Sequence, residues 1–151
     1  MDTVFIILRI INISLLIGVW FFSFKNYKNL PDKIPTHFNI VGEPDRFSSK
    51  KFFYFLPIIA TLLLGLFFYL SNFPESANYT VEITPENEQS QYKMGIVFSQ
   101  IILFFCLLLF FIIQDFTVKY VADKKPSLAN IVLPIVGLFL TIMVYTVLSN
   151  T

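Results

Sequence analysis

The chain has 151 residues, of which 56% are hydrophobic and 14% charged, with 19 phenylalanines and a formal net charge of +1. A soluble domain carries roughly 25% charged residues, and mean hydropathy here is +0.70. One water-soluble core of this size cannot hide so much apolar surface, so the composition excludes a soluble globular domain and predicts an integral membrane protein.

The first apolar segment runs from about Val4 to Phe24, long enough to cross a hydrocarbon layer that needs roughly 20 residues. No basic stretch precedes it and no small-residue cleavage pattern follows, so a retained span is expected. Arg9 lies inside it and is read as snorkelling to the nearby interface, with pairing to an acidic group in the bundle as the alternative. Asn12 and Ser14 are expected to hydrogen-bond between helices.

The loop over residues 25–51 follows, and its core is LPDKIPTHFNIVGEPDRFSSKK, Leu30 to Lys51. Pro31, Pro35 and Pro44 fix φ, remove three backbone donors and bias Leu30, Ile34 and Glu43 towards extended conformations. No helix should pass through. If Thr36 to Ile40 is extended, His37 and Asn39 share one side, with Phe38 and Ile40 on the other. Gly42 to Asp45 reads as a tight turn that carries Asp45 back towards His37 and Asn39. Ser48 or Ser49 is suited to cap the next helix. So much restriction in a long loop predicts an ordered structure packed on the bundle through Phe38, Ile40 and Phe47. Arg46 and Lys50 are the candidate ion-pair partners of Asp45.

The second span is expected from about Phe52 to Phe73, with aromatic residues at both ends and Pro57 kinking its first turns. An acidic connector from Pro74 to Tyr92 contains Tyr79 to Ile83, which could form a short strand. The third span covers about Met94 to Gln114 and continues helically towards Tyr120, with Gln100 as its main polar group. The single cysteine, Cys106, sits in this run; it permits no intrachain disulfide and reads as a small buried hydrophobe. The fourth span runs from about Leu128 to Leu148, with Pro134 and Gly137 inside it. Lys-Lys followed by Leu-Pro-Ile recurs before the second and fourth spans, a faint echo of two repeated hairpins. The expected fold is an all-α four-helix membrane bundle, residues 1–151 as one domain, with an ordered Pro-rich loop between helices 1 and 2.

The pattern Leu-Pro, Ile-Pro-Thr-His-Phe-Asn, Gly-Glu-Pro-Asp and Ser-Lys between two apolar segments resembles the N-terminal domain of unknown function in the SdpI-type immunity-protein family. The matching positions are Pro35, His37, Phe38, Asn39, Gly42, Pro44, Asp45 and Lys50, while Arg46 and Ser48 stand where that family's pattern has small residues. The resemblance implies a bacterial multi-pass membrane protein of the kind that protects its producer from a secreted killing peptide. It also implies that Pro35, His37, Asn39, Gly42, Asp45 and Lys50 form the functional loop.

Basic residues set the expected orientation. Lys25, Lys28, Lys33, Arg46, Lys50 and Lys51 lie in the first loop and Lys119, Lys124 and Lys125 in the third, against Arg9 and Lys93 at the other edge. The positive-inside rule then puts the Pro-rich loop in the cytoplasm and both termini outside, in the bacterial inner membrane. No catalytic motif occurs. His37 with Asp32, Glu43 and Asp45 could supply mixed metal ligands, but a hydrogen-bonding role for His37 is favoured and no metal or other cofactor is expected. Membrane lipids are the expected partners, with a toxic peptide or a membrane protein as the further one; no basic groove suggests nucleic acid. The leading function is protection against, or sensing of, a membrane-active peptide or envelope stress. A small transporter or channel is the alternative, and a membrane-face metal-dependent enzyme the least favoured class.

Overall fold

The computed structural model describes residues 3–39, 41–124 and 127–149. Four helices carry the chain through a membrane: α1 (Thr3–Tyr27), α2 (Phe55–Asn72), α3 (Glu88–Val121) and α4 (Ala129–Ser149). Each is long and apolar enough to span. The protein is therefore a multi-pass, all-α membrane bundle, and α3 runs helically past Tyr120 as the sequence suggests. Packing centres on α3, which touches the other three helices, whereas α4 rests chiefly on α3 alone. Ala60, Leu103 and Leu107 form the buried seam, flanked by Leu15, Leu16 and Phe67.

Beside that apolar seam the bundle buries its intramembrane polar side chains and turns apolar ones outward. Asn12, Ser23, Gln100 and Gln114 are buried, while Ile10, Ile17, Phe21, Leu133 and Phe139 face outward. Asn12 donates to both the backbone and side-chain oxygens of Gln100 (3.0 and 3.1 Å), and Gln100 donates to Ser71 (3.0 Å). Ser14, expected to join such contacts, is instead exposed. A second amide sits nearer the other end. Gln114 Nε2 donates to Ser23 Oγ (2.8 Å) and to the Phe53 carbonyl (3.0 Å). Pro57, four residues on, has no N–H to give that carbonyl. Ahead of α2 the chain makes a 3₁₀ turn over Lys50–Tyr54, capped by Ser49, which leaves Pro57 in the first turn of α2.

The Pro-rich loop is a β-hairpin, β1 (Lys33–Phe38) against β2 (Pro44–Ser49), antiparallel. Prolines and charges obscure these strands in the sequence, but a two-stranded sheet has an outer edge on each strand that tolerates missing donors. Leu30, Ile34 and Phe53 form a second small core beneath it, packed by Phe22, Tyr27, Val118 and Val121. Tyr79 to Ile83 is not a strand. Tyr79 donates to the Pro74 carbonyl (2.9 Å), and its ring lies where a side chain on Gly95 would go. Burial first, then Tyr145, Tyr92 and Glu75, pushes this hydroxyl up to about 12.

Candidate functional site

The hairpin register pairs Pro35 with Phe47, His37 with Arg46 and Phe38 with Pro44, with irregularities on either side of His37. Such bulges re-aim side chains. Here they bring His37 Nδ1 to 2.5 Å from Asp45 Oδ1, on a pair that is 60% and 47% exposed. Asp45 thus takes His37 as its partner, not Arg46 or Lys50. Lys50 lies at the other end of the hairpin, 3.3 Å from Asp32 and over the Tyr27 ring, tying the strand base to α1.

Asn39 has a different task from the one alternation assigns it. Its Oδ1 accepts from the amides of Val41 (3.0 Å) and Glu43 (2.9 Å). Its carbonyl accepts from Gly42 N, and its own amide donates to the Glu43 carbonyl. The bonds that close the tight turn therefore run between Asn39 and Glu43, so it starts three residues earlier than expected, and Pro44 and Asp45 already belong to β2. Gly42 is required there by its φ of +83°. Its Cα side abuts Leu128, just ahead of α4. His37 and Asp45 form one unit and Asn39 holds the turn beside them; the three do not make a single hydrogen-bonded cluster.

The anchors also divide. Phe38 packs edge-on against Phe116 and Tyr120 of α3, with centroids at 4.7 and 5.8 Å. Phe47 points outward and is 55% exposed, because β2 is the outer strand; Ile40 lies outside the described residues. Leu30, Ile34 and Pro35 are the buried anchors that sequence reasoning missed as such. The signal was available: each of these two aliphatic residues precedes a proline, four apart, at the loop's start. Between the dyad and the 3₁₀ turn lies a shallow cleft of about 390 Å³ walled by Thr36, His37, Arg46, Phe47, Ser48 and Phe52. It offers an imidazole whose Nδ1 is paired with Asp45, a guanidinium and two aromatic faces. Among the described residues, no three His, Cys, Asp or Glu side chains gather as a metal-ligand set, and Asp32 is engaged with Lys50.

Comparison with known proteins singles out this same part of the chain. Residues 14–61 match the family described as Domain of unknown function (DUF1648). The match runs from mid α1 through the hairpin into α2. An uncharacterised protein of the archaeon Archaeoglobus fulgidus is 40% identical over 55 residues, which cover 36% of this chain and 28% of the relative. The chain thus spans well under half the length of that relative. No solved structure matches it.

Proposed function

We propose that the hairpin is a ligand-recognising surface with which a small membrane protein of SdpI-type character protects against, or senses, a membrane-active peptide. The observation that carries this reading is the exposed His37–Asp45 pair beside the Phe47–Phe52 cleft. The fold of the hairpin does not depend on it, since the turn is closed by Asn39 and the base by Leu30, Ile34 and Phe53. Polar groups framed by exposed aromatic rings suit an amphipathic peptide lying along the membrane. A carrier reading would have to rest on Asn12, Gln100 and Gln114, whose amide donors are already engaged within the bundle. The reading involves no chemical step and no cofactor.

In cells challenged with an amphipathic killing peptide, His37→Ala and Asp45→Asn should each lower tolerance about ten- to a hundredfold, the loss of one charge-assisted hydrogen bond of roughly 1.5–3 kcal/mol. Thermal stability in detergent should stay nearly unchanged, because both groups are exposed. If tolerance falls only together with stability, the pair is structural; if neither changes, the reading fails.

The same reading places the hairpin in the cytoplasm of a bacterial cell and the α2–α3 connector outside, supported by the clustering of lysines around the hairpin. Cysteines substituted at Ser90 and Ser48 should then differ, the first labelled by an impermeant reagent from outside and the second protected. The opposite pattern would invert the topology.

A further inference from the structure

At the end of the bundle away from the hairpin, α1, α2 and α3 surround a cavity of about 520 Å³ walled by Arg9, Ser71, Asn72, Gln89 and Lys93, with Phe5, Ile96 and Val97 as its apolar part. Arg9, Asn72 and Gln89 can donate hydrogen bonds into it, Ser71 gives its own hydrogen to the Phe67 carbonyl, and among the described residues no carboxylate lines it. Arg9 is held with its guanidinium 4.6 Å from the Phe5 ring centroid and 4.3 Å from that of Phe68. Stacking on two rings fixes the group without cancelling its charge. Its Nε is buried and has no hydrogen-bond partner among the described residues. Arg9 is six residues into α1, roughly 9 Å along its axis from Thr3, and Ser71 and Asn72 close α2. The cavity therefore opens at the level where a leaflet presents its headgroups.

A second feature decides what kind of anion belongs there. Lys93 and Val97 also wall an apolar groove of about 530 Å³ between α3 and α4, continued by Phe98, Ile101, Leu140 and Val144. A donor-lined basic cavity thus adjoins a long apolar groove around two shared residues. A free phosphate would use only the first, and an apolar peptide only the second. We propose that this end of the bundle binds one phospholipid with a net-negative headgroup, its phosphodiester at Arg9, Asn72 and Gln89 and an acyl chain along the α3–α4 groove. This site is independent of the hairpin reading.

The full chain, purified in a phosphate-free detergent, should retain long-chain phosphatidylglycerol in native mass spectrometry about tenfold more tightly than phosphatidylcholine. Glycerol phosphate alone should bind no better than buffer. Arg9→Gln should abolish the headgroup preference, and Leu140→Trp should weaken long-chain but not short-chain phosphatidylglycerol. Should Arg9→Gln fail to fold, Gln89→Glu keeps the test open, because it places a negative charge in the cavity from an exposed position. An unchanged preference in Arg9→Gln, or in Gln89→Glu when it stands in, overturns the proposal. Equal binding of glycerol phosphate would assign the cavity to a soluble phosphate, and an unaffected Leu140→Trp would remove the acyl chain from the groove; either also overturns it.

Discussion

Gln114→Leu should lower the unfolding free energy in detergent by about 1–3 kcal/mol, the usual cost of leaving buried polar groups unmatched. The change removes the donor to the Phe53 carbonyl and both bonds with Ser23. What distinguishes this account from a simple packing loss is its dependence on Pro57. Pro57→Ala returns a backbone N–H four residues after Phe53, so in the Gln114→Leu background it should recover part of the loss. Recovery is partial because the Pro57 ring is itself buried. A double-mutant cycle reads the coupling directly. Additive losses would show that the proline and the glutamine are unrelated.

Gly137→Leu should release α4 from the bundle while sparing the rest. A Cβ on Gly137 would stand 2.2 Å from Cε1 and 2.4 Å from Cζ of Phe105, far inside van der Waals contact. Close approach through a small residue is how membrane helices gain packing. Overpacking there costs about 1–3 kcal/mol, more than the roughly 0.5–1 kcal/mol gained by removing glycine from a helix. Because α4 rests chiefly on α3, the change should expose the 122–128 connector to protease while Phe38 stays on Phe116. Phe105→Ala in the same chain should reverse it. If Gly137→Leu leaves the cleavage rate unchanged, the seam carries no such constraint.

The helices were legible because lipid leaves apolar runs uninterrupted, and the hairpin's order because three prolines and Gly42 restrict its backbone. The strands themselves were not, since Pro35 and Pro44 argue against them one by one. Alternation placed His37 and Phe38 on opposite sides correctly, yet the irregularities around His37 broke the parity that would have carried it to Asn39. Asp45 reached His37 as expected, but by way of a turn beginning at Asn39. Gln114 looked like the end of a span. Its partners Ser23 and Phe53 stand 91 and 61 positions away, a separation that no local pattern encodes.

The length of α3 sets the depth at which the hairpin sits. Its 34 residues extend about 51 Å at about 1.5 Å each, whereas about 30 Å of hydrocarbon takes about 20 of them. The polar residues at its two ends divide the excess. Glu88 to Lys93 lie beyond one face, and the Asp115–Lys119 pair, at 2.6 Å, marks the other. Phe116 and Tyr120, on which the hairpin sits, are therefore at headgroup depth. In the proposed function, the exposed Phe47 and Phe52 open into that layer. A peptide recognised there, as proposed, would reach them by lateral diffusion in two dimensions. What governs its occupancy is then its partitioning into the membrane surface, more than its concentration in solution.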